Sequence, residues 1–333
     1  MNMKRLKLNL FKVLKKIYSF LIGTGIHRKL PFMAPIYDFL FRYFWPYPEI
    51  IEIQGSKMYI NVREKDPEMR KTFRTYAFDR IHEESTTNLF KKTIKKGDVV
   101  VDLGANIGYF TLLAAKLAGK EGKVYSFEPE PRNYNYLLKN IGLNGYKNIL
   151  AMQKAVSDRN GTTKLYVCPY DTGHHTINQQ EGIEDYRHGR QGEVTAIDIE
   201  TVALDDFLKD KENSVNVMKI DVEGAEMLAL SGMDRILKEN KDIKIFVEFF
   251  PLLIRKMGSS PEEFIRRLLE DYHFSIFIIG SEYSMGNSER DYLKINNSEE
   301  IMNFCKGEQD HLNLFLERTN AHGSVIENIK NLN

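Results

Sequence analysis

The run Asp102-Leu103-Gly104-Ala105-Asn106-Ile107-Gly108 carries the first chemistry that the chain offers. A turn built for pyrophosphate reads G-x-G-x-x-G, because its backbone N–H groups must close on a dianion. Here Gly104 and Gly108 stand G-x-x-x-G apart and an acid, Asp102, precedes them. A carboxylate there repels phosphate and suits a cation. Glu128 follows at the end of the next apolar run. An acid in that place accepts hydrogen bonds from a ribose diol. The pair asks for a ligand that is both a cation and a nucleoside, and S-adenosylmethionine, with its ammonium and sulfonium, is such a ligand.

A second set of acids, Asp221, Glu223 and Glu226, gathers around Gly224. Such acids open a helix, whose N-terminus favours negative charge. Asp221 has a further use, to position an acceptor hydroxyl or take its proton. Ligation of a divalent ion needs several oxygens. Only Asp221, Glu223 and Glu248 stand at strand ends, so no metal is expected. Glu248 interrupts an apolar run from Ile243 to Phe250, and a buried acid there needs a partner or a function. His174 and His175 fall in a polar loop, either solvated or, for one of them, lining an acceptor pocket as a general base.

These residues must be held by strands and helices. Val99 to Val101 is short and wholly apolar, as a strand buried on both faces of a parallel sheet should be. Tyr109 to Leu117 then has helical spacing. Further strands are expected at Lys123–Phe127, Ile149–Ala155, Val215–Ile220, Ile243–Phe249, Ser275–Ile279 and Leu312–Glu317, with helices at Pro131–Asn140 and Pro261–Leu269. Strands alternating with helices predict an α/β fold, a doubly wound, seven-stranded, mostly parallel Rossmann-like sheet. A β-rich insertion is expected over about 162–200. Ahead of the sheet, Glu49 to Val62 reads as a hairpin and Arg70 to Lys92 as a helix.

The blocks DLGANIGYFTLLAA, FEPEPRNYNYLLKNIGLNG, KAVSD, VALDDFL and MKIDVEGAE resemble the FkbM family of class I SAM-dependent methyltransferases over roughly 91–258. The resemblance implies O-methylation, commonly of a sugar or polyketide hydroxyl. It places the methionine moiety of SAM against Asp102, Gly104, Ala105, Asn106 and Gly108. It puts the ribose on Glu128, with Pro129 and Asn133 near it, and the adenine by Ala155 and Val156. Asp221 falls at the edge between cofactor and acceptor. The loop that ends the fourth strand is Asp221-Val222-Glu223-Gly224 rather than the Asn/Asp-Pro-Pro-Tyr type of many nitrogen methyltransferases. An acceptor of another kind, small-molecule, protein or nucleic acid, is the alternative, as is a non-catalytic SAM-binding scaffold. Retention of Asp102, Glu128 and Asp221 together speaks against the scaffold.

The chain has 333 residues, 42% hydrophobic and 28% charged, with Lys+Arg 47 against Asp+Glu 46. That balance argues against a surface built for nucleic acid. Two cysteines, Cys168 and Cys305, make no disulfide framework, and a reducing, cytoplasmic setting is expected. The start of the chain departs from neutrality. No acid occurs before Asp38, while Lys4, Arg5, Lys12, Lys15 and Lys16 oppose Leu6, Leu10, Val13, Leu14, Ile17 and Leu21 on a helical projection. Its apolar run is far short of the ~20 residues that cross a bilayer. Residues 1–30 then either pack on protein or lie peripherally on an anionic membrane. The expected organisation is an N-terminal extension over 1–48, an accessory hairpin and helix over 49–92, a methyltransferase domain over 93–320 and a tail over 321–333.

Overall fold

The computed structural model describes residues 49–61, 80–167, 195–280, 292–307, 310–318 and 324–326, with shorter stretches and single positions between 6 and 77 and between 177 and 192. His174 and His175 lie outside the described residues. The chain divides into two compact units, one of residues 1–53 and 57–80, the other of 54–56 and 81–333. Strands β1 (Ile50–Ile53) and β2 (Ser56–Tyr59) form the expected hairpin.

The second unit carries the main sheet. Its first half contains α1 (Glu84–Thr93), β3 (Val99–Leu103), α2 (Tyr109–Ala118), β4 (Lys123–Phe127), α3 (Pro131–Asn144), β5 (Ile149–Met152) and β6 (Lys154–Val156). The insertion contributes β7 (Gly161–Val167), β8 (Ile183–Asp185), β9 (Arg190–Gly192) and β10 (Thr195–Val202). Next come α4 (Leu204–Leu208), β11 (Val217–Ile220), α5 (Glu226–Ser231), α6 (Asp234–Glu239), β12 (Lys244–Phe249), α7 (Pro251–Lys256) and α8 (Pro261–Arg266). The chain closes with β13 (Ser275–Ile279), β14 (Tyr292–Ile295), α9 (Ser298–Met302) and β15 (Leu312–Glu317).

Eight strands pair in the order β14-β13-β15-β12-β11-β3-β4-β5. The five from β12 to β5 are parallel, whereas β15, β13 and β14 run antiparallel to their neighbours. The eighth strand is β14, a short edge strand without a strong apolar pattern. The strand expected over Ile149–Ala155 divides at Gln153. Its first half closes the main sheet, and its second half joins β10 and β7 in a separate three-stranded sheet. The order reverses between β3 and β11, and open α/β sheets bind ligands at such a switch point, beyond the carboxyl ends of the strands.

Pleating decides which residues meet. On β12, Ile245, Val247 and Phe249 join the larger core with Phe264 of α8, the rings of Phe249 and Phe264 lying 6.1 Å apart. Phe246, one residue out of phase, packs instead on Phe90 of α1 at 5.1 Å and on Phe315 at 5.1 Å. Helices thus cover both faces. Register sets Asp102, Lys219, Phe246 and Phe315 in one row across β3, β11, β12 and β15. Because side chains alternate with a period of two, Asp221 and Glu248 emerge beyond that row on the same face.

The helix expected from Arg70 to Lys92 is broken. Positions 69–70, 72–73 and 76–77 are helical, but Arg80 and Glu83 take φ of 57° and 44°, and helix resumes at Glu84. The break turns His82 and Glu83 out of a helical surface.

Candidate active site

Beyond β3, Gly104 turns the chain with φ 81°, and a Cβ there would sit 1.7 Å from the Asp221 carbonyl oxygen. Only glycine allows β3 and β11 to approach so closely. The Gly104 and Ala105 N–H groups donate to the Phe127 carbonyl, both at 2.9 Å. Glu128 is oriented by two backbone donors, Asn106 N–H at 2.7 Å and Glu130 N–H at 2.9 Å. A carboxylate has about four acceptor sites, so capacity for a diol remains. Burial pushes Glu128 up to about 8. Helix α3 starts correctly beside it, with Glu130 accepting from Asn133 N–H at 2.7 Å and Pro131 at the first helical position.

A cleft of about 690 Å³, open to solvent, lies against these groups. Of the residues expected at the cofactor, Gly104, Asn106, Glu128, Pro129, Asn133, Ala155, Val156 and Asp221 line it. Ala155 packs with Leu165 and Ile177 from the insertion, and with Val156 these give the cleft apolar lining. Asp102, Ala105 and Gly108 are set back. Asp102 is buried, accepts from Thr111 Oγ1 at 2.5 Å, and burial raises its pKa, with Lys219 opposing. The cation it faces is therefore Lys219 across the strand pair, not a ligand in the cleft. The pleat is the reason: residue 102 points to the α2 face, and the chain reaches the cleft only after the Gly104 turn.

Lys219 is the centre of the second half of the site. It is 4% exposed, donates to Asp221 Oδ2 at 2.6 Å and lies 4.7 Å over the Phe110 ring. Burial opposes its charge, but Asp221, Glu83, Glu248 and Asp102 outweigh it and raise its pKa. Asp221 has the converse balance: burial resists its ionisation, and Lys219 overcomes this, leaving its pKa below the ordinary value. Glu83 is likewise lowered against burial by Lys219 and His82. Glu248 goes the other way, raised well above the carboxylate range by burial and by Asp221, to which it is hydrogen-bonded. The two neighbouring acids are thus shifted in opposite directions.

Two histidines flank the cluster. His82 Nε2 lies 3.2 Å from Glu83 Oε1, and His311 Nε2 lies 3.5 Å from Glu248 Oε1. Neither histidine, nor Glu83, nor Lys219 was legible as a site residue, although a lysine two positions before Asp221 in the apolar strand Val-Met-Lys-Ile was a signal. Oxygens of Asp221, Glu223 and Glu248 come within 4.8 Å of one another. Asp221 among them is already bonded to the Lys219 ammonium. Asn106, Glu223 and Glu83 have φ of 48°, 52° and 44°. Non-glycine residues in that region store about 1–3 kcal/mol each, and such strain clusters at functional sites.

A family model described as the methyltransferase FkbM domain matches residues 102–276. Methyltransferase sdnD of Sordaria araneosa is 30% identical over 200 residues, covering 53% of this chain and 73% of that protein. Methyltransferase 1 of Beauveria bassiana is 29% identical over 145 residues, 40% of this chain and 58% of its own length. The hexuronic acid methyltransferase AglP of Haloferax volcanii is 25% identical over 158 residues, 47% and 58% of the two chains.

Proposed function

The chain belongs to the methyltransferase FkbM family, and from that premise we propose that it methylates a saccharide hydroxyl, with Asp221 as the residue that meets the acceptor. The enzyme is a methyltransferase and its methyl donor is S-adenosylmethionine. When bound, SAM supplies an electrophilic methyl whose bond to sulfur breaks, leaving its electron pair on sulfur, as the bond to oxygen forms. The residues present suit it: Glu128 for the ribose diol, the apolar lining of Ala155, Val156, Leu165 and Ile177 for the adenine, and Asn106 and Asp221 at the methionine end.

One observation carries the acceptor reading. Asp221 borders the cleft and is paired with Lys219, which supports a role for its carboxylate in meeting the acceptor. An ionised carboxylate accepts a hydrogen bond from a hydroxyl, orients its oxygen and takes its proton. Glu83 and His82 lie within electrostatic reach of Asp221. AglP acts on a hexuronic acid, and that relationship supports a sugar over other hydroxyl compounds. Incubation with labelled SAM and extracts fractionated into lipid, glycan, protein and nucleic acid tests the proposal. Label in glycan or glycolipid is expected, and label confined to protein or nucleic acid refutes it.

A lipid-linked saccharide on an anionic membrane is the form of acceptor we favour. Leu6, Leu10, Val13 and Ile17 are helical and 38–53% exposed, in a segment with eight basic residues and no acid before Asp38. Among the described residues no helix is long and apolar enough to cross a membrane. Each basic residue near an anionic surface contributes about 1 kcal/mol. The full chain should sediment with anionic liposomes and be released by salt, whereas a chain beginning at Pro48 should not. Equal partitioning refutes the membrane reading.

A further inference from the structure

The charge of this chain is divided along its length. Residues 1–48 hold nine of its 47 basic residues and one of its 46 acids, so the remainder is net acidic. An anionic membrane attracts the first part and repels the second. That attraction reaches only about a Debye length, ~10 Å at 0.1 M salt, and weakens as salt rises. A lasting attachment takes an apolar contribution beside the basic one, as it does for a lipid chain paired with a polybasic patch. Leu6, Leu10, Val13 and Ile17, helical and exposed, supply part of it. Phe39 and Tyr43 supply more. Both are helical and lie 58% and 64% exposed, further than any other described aromatic. Four residues apart, they share a helix face, and their rings stack with centroids 6.2 Å apart and 9° between planes. Single exposed apolar side chains are ordinary; a stacked pair within the basic segment is a larger apolar surface, set where the charge already selects an anionic partner.

We propose that Phe39 and Tyr43 form an aromatic anchor that enters the headgroup boundary of an anionic membrane. Aromatic rings concentrate at that depth, and a tyrosine there keeps its hydroxyl among polar headgroups while its ring meets the acyl chains. The anchor contributes burial of apolar surface, which salt does not screen, and Lys4, Arg5, Lys12, Lys15 and Lys16 contribute the attraction that salt does screen. The inference rests on the membrane reading above and adds to it the residues that enter the lipid.

The two contributions separate in a salt series. Full-length protein is partitioned onto phosphatidylcholine vesicles containing phosphatidylserine, and the logarithm of the partition constant is plotted against that of the salt concentration. Charge sets the slope of the line, and apolar burial sets its height. The double variant Phe39→Ser, Tyr43→Ser should lower the line by at least about tenfold with its slope kept. The triple variant Lys12→Gln, Lys15→Gln, Lys16→Gln should flatten it. Both variants should bind S-adenosylhomocysteine as the wild type does, which reports a folded methyltransferase domain. A serine variant that partitions as the wild type, or that changes the slope and not the height, overturns the anchor and leaves the membrane reading standing. Phe39→Trp gives a second readout that does not depend on losing a side chain. On vesicles whose acyl chains are brominated near the headgroup, its fluorescence should be quenched beyond that of the wild type, which carries Trp45 alone. An added indole that escapes quenching while the protein is vesicle-bound overturns the anchor. Wild-type protein that binds no vesicle at any salt concentration refutes the membrane reading, and the anchor with it.

Discussion

Replacing Lys219 by methionine removes the buried cation that faces Asp221, Glu83, Glu248 and Asp102 while keeping an apolar stem over Phe110. Breaking a buried pair by deleting one partner leaves a charge without compensation and destabilises by about 3–5 kcal/mol. At about 2 °C per kcal/mol for a domain of this size, melting should fall by roughly 6–10 °C at pH 8. The pH dependence is the sharper test. In the native protein the Asp221 pKa is depressed, so its contribution is present above the ordinary carboxylate pKa and fades as pH falls toward the depressed value. In the variant burial acts without Lys219, and the Asp221 and Glu83 pKa values rise. The penalty is then largest at pH 8 and shrinks as the pH drops through the raised values and the acids protonate. Urea denaturation at pH 5 and pH 8 measures both gaps. A gap below about 1 kcal/mol at pH 8, or one that is equal at the two pH values, refutes the account. Adding Asp221→Asn to Lys219→Met should recover part of the loss, since the two sites are in contact.

Asp221→Asn alone should lower kcat by about 10²–10⁴, with calorimetric affinity for S-adenosylhomocysteine changed far less; near-normal turnover would exclude Asp221 as the group at the acceptor. Glu128, pushed up to about 8 by burial, should lose its proton when a diol donates to its ionised form. S-adenosylhomocysteine binding should therefore release protons near pH 7 and strengthen from pH 6 to 8.5, and calorimetry in buffers of different ionisation enthalpy would reveal the opposite sign if this is wrong. Gly104→Ala forces a methyl to within 1.7 Å of the Asp221 carbonyl oxygen, so β3 and β11 must part; cofactor affinity should drop, and thermal melts with and without S-adenosylhomocysteine would expose a harmless substitution. EDTA should leave activity nearly unchanged, because Asp221 is bonded to Lys219; loss with rescue by Mg²⁺ or Mn²⁺ would instead make Asp221, Glu223 and Glu248 ligands.

Local signals sufficed for much of this protein. Val99-Val100-Val101 is apolar throughout because both faces of its strand are covered, and Gly104 is needed because a carbonyl passes 1.7 Å from where its Cβ would be. Both constraints leave their mark on residue type within a short stretch, although the carbonyl that crowds Gly104 belongs to the distant Asp221, so spacing exposed the β3 turn, Glu128 at the end of β4 and Asp221 at the end of β11. The partner of Asp102 was beyond such reasoning: a buried acid demands a cation, but residue type does not say which, and the pairing of β3 with β11 gave it Lys219. The break at Arg80–Glu83 was hidden because the helix-favouring charges of that stretch outweigh, locally, a backbone turn whose packing partner, Tyr109, arrives later in the chain and accepts the His82 N–H at 3.1 Å. His311 met Glu248 through β15, which enters the sheet antiparallel beside β12. Composition and periodicity report what each segment must bury. Which charges share one buried face depends on strand order and register, and these are fixed only when the sheet assembles.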